Sequence, residues 1–272
     1  MKLSLFQVDA FASEVFRGNP AAVVPLEQWL ADEAMQAIAM ENQLSETAFF
    51  VAEKESIGLR WFTPTIEVDL CGHATLATAH VLFRELGTTA KSVTFQTRSG
   101  ALAVDREERG YSLDLPADVP SPNDEHLPSV REALGTAPLQ LLRGKDDLVA
   151  VFPDEGSLLQ LAPDFRRLAR IPVRGLITTG PGREVDFVSR CFFPAAGIDE
   201  DPVTGSAHAT ITPLWSGRLG RETLTARQLS TRGGEIGCRC NGDRVTLTGD
   251  AVTYLRGTIE IPSEWETPAS SS

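Results

Sequence analysis

At 272 residues, 42% hydrophobic and 23% charged, the chain is long enough for one large globular core or two modest ones. Its 25 Lys and Arg against 37 Asp and Glu give a net charge of −12, with no long basic run to offset it. That balance argues against nucleic acid or an anionic membrane surface as partner, because both are bound through clustered Lys and Arg. There is no run of 18 apolar residues, and 1–9 reads as a strand rather than a signal peptide, so a cytoplasmic location is expected. Four cysteines (Cys71, Cys191, Cys238 and Cys240) do not make a disulfide framework in a chain of this length. Cys238-Arg239-Cys240, inside an apparent strand, reads as structural because no further metal ligands are grouped nearby.

In chain order, 3–10 and 21–25 read as strands around the loop Phe16-Arg17-Gly18-Asn19-Pro20. The spacing of Trp29, Leu30, Ala34, Ile38 and Met40 predicts a helix over 27–42. Strands over 47–52 and 59–62 follow, then a helix over 72–86 that Gly87 stops, then strands over 92–97, 101–107 and 111–115. Residues 116–124 hold three prolines and no apolar period, which makes them the best linker in the chain. They divide an N-terminal lobe, 1–117, from a C-terminal lobe, 118–272, whose last strand is free to cross back. The second lobe reads as helices over 125–134 and 164–170 and strands over 139–142, 147–152, 175–179, 185–193, 234–240, 244–248 and 251–261. The tail 269–272 is expected to be disordered.

Two helix starts organise this pattern. Cys71-Gly72-His73-Ala74-Thr75 opens a helix with small residues, where unpaired N–H groups and the helix dipole favour an anion. A repeat supplies the second. Arg60-Trp61-Phe62-Thr63-Pro64 resembles Arg190-Cys191-Phe192-Phe193-Pro194, 130 residues on, and Gly72-His73-Ala74-Thr75 resembles Gly205-Ser206-Ala207-His208, 133 residues on. In the second loop Asp201 reads as N-cap and Pro202 as the first helical residue. Duplicated halves imply two similar lobes with a cleft between them, where facing helix starts would hold one small anionic ligand.

Several stretches carry a resemblance. They are Val8-Asp9-Ala10-Phe11, Phe16 to Val23, Asn42 to Phe49, Leu59 to Pro64 with Cys71 to Thr75, and Asp199 to His208. In this order they resemble the PhzF-like family of phenazine-biosynthesis isomerases, related in fold to diaminopimelate epimerase. The resemblance implies an α+β, diaminopimelate epimerase-like fold: two pseudo-symmetric lobes, each a mixed β-sheet wrapped around a central helix. It also implies a homodimeric isomerase that needs no cofactor and no metal. Carried over by motif, the proton-shuttling base is Glu46, with His73, Asp201 and Ser206 as companions. Leu229 and Ser230 depart from the glycine that the phenazine isomerases carry soon after the matching Gln, so the substrate is not carried over.

Each residue also has a plainer reading. Glu46 is either a solvated turn carboxylate or the general acid/base, a role that wants an enclosed site. His73 is either an exposed first-turn residue or a neutral ring serving the substrate, since a helix N-terminus disfavours the imidazolium. A metal role for His73 is poor, because His80 lies seven residues, about 10 Å, further along the helix. Asp201 is a cap or a catalytic partner, and Asn19 a turn residue or part of the ligand wall. Gly72, Ala74, Thr204, Gly205 and Ser206 are expected to contact the ligand, Ser206 as a hydrogen-bonding group rather than a nucleophile. Cys71 opens a rival reading as a racemase thiol, its pKa lowered by the helix start. The matching second position is Thr204, which cannot serve as a thiolate. A non-catalytic binder of small anionic metabolites is the alternative of another class.

Overall fold

A computed structural model of the chain describes residues 1–53, 56–262 and Trp265. Its contacts divide it into two units, Met1–Leu113 with Gly249–Ser272, and Asp114–Thr248. The tail at 269–272 lies outside the described residues.

The first unit starts with β1 (Lys2–Ala10), β2 (Asn19–Leu26), β3 (Glu46–Ala52), β4 (Ile57–Phe62) and β5 (Glu67–Val68), and continues with β6 (Ser92–Thr97), β7 (Gly100–Arg106) and β8 (Tyr111–Pro116). β1–β2 and β3–β4 are antiparallel, β2–β3 and β4–β6 parallel, and β6–β7–β8 antiparallel. The sheet is therefore mixed. Helix α1 (Asp32–Asn42) covers one face, where Leu3, Leu5, Ala22, Val24, Phe49, Val51 and Phe62 meet Ala34, Met35 and Ile38. Helix α2 (Gly72–His80) packs on β1, β2, β3 and β7.

All nine residues of α2 are buried. A helix without a polar face belongs inside a core, and its sequence, Gly-His-Ala-Thr-Leu-Ala-Thr-Ala-His, explains how it can stay there. Gly and Ala let the surrounding strands approach closely. The two threonine hydroxyls are satisfied within the helix, Thr75 donating to the Cys71 carbonyl (2.5 Å) and Thr78 to that of Ala74 (2.7 Å). The helix then widens into a π-turn over Val81–Glu85 and stops at Gly87, whose φ of 74° suits glycine.

The second unit repeats this plan. Its strands are β9 (Ser121–Pro122), β10 (Gln140–Arg143), β11 (Asp147–Val151), β12 (Gly175–Pro181), β13 (Phe187–Phe193), β14 (Ile198–Asp201), β15 (Thr223–Gln228), β16 (Gly234–Asn241) and β17 (Arg244–Gly249). β10–β11 and β12–β13 are antiparallel, β11–β12 and β13–β15 parallel, and β15–β16–β17 antiparallel, the same succession as in the first unit. Helices α3 (Leu127–Leu134), α4 (Glu155–Leu159) and α5 (Phe165–Leu168) cover one face. The long α6 (Gly205–Leu219) takes the place of α2 and is buried along most of its length. β18 (Ala251–Glu260) closes the chain in the first unit, antiparallel to β1.

Both copies share a staple ahead of the buried helix. Arg60 grips Glu67 with Nε and Nη2, both at 2.7 Å, and lies over the Phe62 ring. Arg190 grips Glu200 in the same way (2.8 and 2.9 Å) and lies over Phe192. Its Nη1 also donates to the carbonyls of Leu158 and Leu161, fastening α4 to the sheet.

The structure corrects two sequence expectations and adds a strand that they lacked. The first helix begins at Asp32 rather than at residue 27, because β2 runs on to Leu26 and the intervening residues pass as a loop. Trp29 and Leu30 join the core from that loop, Trp29 against Gly58, which imitates a helical period. The end of the second helix is a π-turn rather than α-helix. Within the Pro-rich stretch, Asp118 N–H donates to the Ala209 carbonyl (3.3 Å). That is the acceptor which Pro213, four residues on in α6, cannot serve. The β15 strand was absent from the sequence reading, although Leu224, Ala226 and Gln228 alternate inward.

Arg190→Met removes one partner of an enclosed bidentate pair and leaves Glu200 (19% exposed) and two carbonyls unserved. We expect about 3 kcal/mol of lost stability in chemical denaturation. A loss below about 1 kcal/mol would show that the pair acts as an ordinary surface bridge.

Candidate active site

The first unit brings four side chains together. Asn19 opens β2 after a loop in which Phe11, Phe16 and Gly18 all have positive φ, and the Asp9 carboxylate steadies that loop by accepting from Phe16 N–H (2.8 Å). Glu46 opens β3, after Gln43 has ended α1 in the left-handed region (φ 51°). Cys71 is the N-cap of α2 and makes no capping bond, and His73 is the helix's second residue. His73 Nε2 lies 3.2 Å from Glu46 Oε2, and its Nδ1 lies 3.2 Å from Asn19 Nδ2 and 3.4 Å from Cys71 Sγ. His73 is 4% exposed and Cys71 6%, with the Glu46 side chain at 13%.

The Glu46–His73 contact is close but poorly aligned. Both Glu46 Oε2 and His73 Nε2 are buried without a directed hydrogen bond, although their separation is that of an ion pair. The Coulomb attraction survives misalignment, whereas the hydrogen bond does not. Both atoms are thus left able to bond a third.

Electrostatics overturn two expectations. Burial by itself pushes the His73 imidazole down, but the Cys71 sulfur and the Glu46 carboxylate overcome it and raise its pKa well above the ordinary value. The sequence reading had a neutral ring. The Cys71 thiol is pushed up to about 11, first by burial and then by the Glu46 charge, with His73 opposing. The expected lowering by the helix start does not prevail. A thiol at about 11 is uncharged at pH 7. An imidazolium Nδ1–H also requires an acceptor, which the Asn19 amide supplies when turned to present its oxygen.

Glu46, Cys71 and His73 offer ligand atoms within 4.8 Å of one another, the one such group among the described residues. The sequence argument against a metal weighed His73 with His80. His80 is occupied elsewhere, bonded to Tyr111 (3.0 Å) and Thr253 (2.8 Å), with a pKa pushed down to about 4 by burial. A cation at the trio would have to displace the Cys71 proton and find a fourth ligand.

In the second unit, Asp201 ends β14 and is not the N-cap. Its carboxylate accepts from the Thr204 hydroxyl, and Thr204 holds the N-cap position, so Pro202 lies outside the helix. The buried Gln228 clasps this turn: its Oε1 accepts from Thr204 N–H (2.9 Å) and its Nε2 donates to the Asp201 carbonyl (2.7 Å). Ser206 Oγ lies 3.3 Å from Nη2 of Arg174. His208 is a structural neutral ring bonded to the Thr204 carbonyl (2.8 Å) and Ser189 (3.3 Å), its pKa lowered to about 4 by burial.

The profile of the phenazine biosynthesis-like (PhzC-PhzF) family matches residues 8–257. The chain belongs to this family. An uncharacterized isomerase of Pseudomonas aeruginosa is 50% identical over 261 residues, 96% of this chain and all of that protein. A crystal structure of a PhzF family protein from Enterococcus faecalis is 47% identical with a TM-score of 0.92, covering 96% of this chain and all of the other. A hydroxyproline epimerase from Agrobacterium vitis, solved with trans-4-hydroxy-L-proline, has a TM-score of 0.59 at 11% identity, covering 95% of this chain and 92% of that one. That likeness is one of fold alone.

The structure gathers Asn19, Glu46, Gly72, His73 and Ala74 at one end of the first unit's sheet, and Asp201, Thr204, Gly205 and Ser206 at the start of α6 in the second. Arg174 and Gln228, which bond Ser206 and the Asp201–Thr204 turn, were not among the candidate residues of the sequence reading. Gln228 entered that reading only as the matching Gln of a family motif, and Arg174 would have needed the repeat extended back to β12.

Because the His73 pKa is raised, the ring should titrate above about 6.5 by NMR, and Glu46→Gln should lower it. The stabilisation from this charge is complete below about pH 6.5 and is lost as pH rises through the folded-state value. The depressed His80 and His208 act oppositely, costing stability as pH falls from about 6.5 to about 4. A His73 midpoint below 6 would contradict the assignment.

Proposed function

We propose that this chain is an isomerase that moves a proton on a small carboxylic acid, with Glu46 as the general acid/base and no cofactor or metal. The observation that carries the reading is the enclosed Glu46–His73 pair at the start of α2, 3.2 Å apart, with an undirected polar atom on each partner. Glu46 takes a proton from carbon, the electron pair passes into the conjugated acid, and the same carboxyl returns the proton at another carbon. A charged His73 beside Glu46 favours the negative charge that develops as the proton leaves. The backbone N–H groups at the start of α2, from Gly72 to Ala74, suit a carboxylate.

The repeat in the sequence extends the proposal to Thr204, Gly205 and Ser206 as ligand contacts and to Asp201 as a catalytic partner. The family's isomerase-named relatives support the reaction class, and an epimerase of related fold with hydroxyproline bound supports a carboxylic acid. Cys71 is less suited to be a base, since its thiol stays protonated until about pH 11. A cytoplasmic location, expected from the sequence, and a homodimer, implied by the family resemblance, belong to the same proposal.

Glu46→Gln should lower the uptake of solvent deuterium into small carboxylic acids about 10²- to 10⁴-fold while ligand binding survives. Retention of full exchange in that variant would sink the reading. A protein that binds the acids without any exchange would instead be the anion-binding alternative.

A further inference from the structure

β4 carries a buried donor that the proton transfer does not use. Trp61 is 1% exposed, and its indole N–H has no acceptor among the described residues. Trp215, 4% exposed, shows the ordinary outcome: its N–H donates to the Thr179 hydroxyl at 2.9 Å. A buried N–H without an acceptor loses its water and gains nothing in exchange, so such groups are rare in folded chains.

Strand register places this donor. Trp61 pairs with Ala48 of β3, and Ala48 lies two residues after Glu46 on the same face of the strand. The indole is therefore a diagonal cross-strand neighbour of Glu46, within the reach of an aromatic side chain. On its other side Trp61 pairs with Val68 of β5, three residues ahead of Cys71, the N-cap of α2. The second unit shows where this strand position points. By the repeat, Cys191 stands in the place of Trp61. Its thiol bonds Thr204, the N-cap of α6, with Asp201 and Asp147 near enough to act on its charge. In the same frame, residue 61 faces the start of α2. Glu46 Oε2 and His73 Nε2, the two buried atoms without a directed hydrogen bond, stand at that helix start.

The chemistry of the missing acceptor follows from its neighbour. A carboxylate beside Trp61 would bring a second negative charge close to Glu46 in a buried setting, and repulsion disfavours it. A neutral oxygen meets no such penalty and satisfies the indole.

We propose that the Trp61 indole N–H selects substrates carrying a neutral acceptor, a hydroxyl or carbonyl oxygen, in addition to their carboxylate. This rests on the isomerase reading above. The test uses matched hydroxy and deoxy acids, trans-4-hydroxy-L-proline with L-proline and lactate with propionate among them. In isotope-labelled protein, the indole N–H signal that Trp61→Phe removes should move downfield with a hydroxy acid and less with its deoxy partner. Trp61→Phe keeps an aromatic ring and removes the donor. The preference in kcat/KM for deuterium exchange into hydroxy over deoxy acids should fall about 10- to 100-fold in that variant, the loss of one hydrogen bond. The signal in the unaltered protein decides the matter if the variant fails to fold. A preference that survives in Trp61→Phe, or an indole signal unmoved by every acid of the panel, overturns the role of Trp61 and leaves the isomerase reading standing. Absence of exchange in the unaltered protein overturns the isomerase reading and this proposal with it.

Discussion

A helix with no polar side must be surrounded, and the fold of this protein follows from that requirement. All nine residues of α2 are buried, so strands must pass along it, and only small or internally satisfied side chains can occupy it. Gly72, Ala74, Ala77 and Ala79 meet the first demand, and Thr75 and Thr78, bonded back to their own helix, meet the second. Burial of the helix also fixes its first turn. Cys71 and His73 are held where the N-terminal ends of β2 and β3 deliver Asn19 and Glu46.

The second unit solves the same problem with a longer helix and a defect. Pro213 breaks the hydrogen-bond ladder of α6, and the Ala209 carbonyl takes the Asp118 N–H from the Pro-rich stretch instead. A residue that would weaken an isolated helix here binds the linker to the core. The Arg–Glu staples ahead of both helices show what the duplication preserved, an aligned bidentate pair on a strand that turns back before the helix start. What it did not preserve is charge: Glu46 and His73 in one copy, Gly175 with Arg174 and Ser206 in the other. The shared frame carries unequal side chains, a carboxylate beside an imidazole in one unit and a guanidinium beside a hydroxyl in the other.

The balance of charges at the site turns on magnitude and distance. A helix N-terminus carries about half a unit of positive charge spread over its first turn. Glu46 offers a full negative charge 3.2 Å from the imidazole in a buried setting. The Cys71 sulfur and the Glu46 carboxylate together raise the pKa of His73 against burial, and burial first, then the same carboxylate, raises that of Cys71. Arguments from the helix dipole alone give the wrong sign for both.

Local order was legible in the sequence wherever chemistry acts over a few residues. The strand at 92–97, the stop at Gly87, the helix start at Gly72 and the repeat of Arg60 to Pro64 at Arg190 to Pro194 all reflect short-range pattern, and the motifs from Val8 to His208 carry the family. The same locality misled at Trp29 and Leu30, whose spacing imitates a helix although a loop delivers them to the core. It misled again at Asp201, where the Thr204 hydroxyl and the distant Gln228 claim the turn. Contacts between residues tens of positions apart, such as Glu46 with His73 and Asp147 with Arg174, exist only once the sheet is formed. Sequence determined most of the strands and the start of the buried helix at Gly72. Tertiary structure decided which charges meet, because burial and separation set electrostatic energy, and neither is a property of a local stretch of chain.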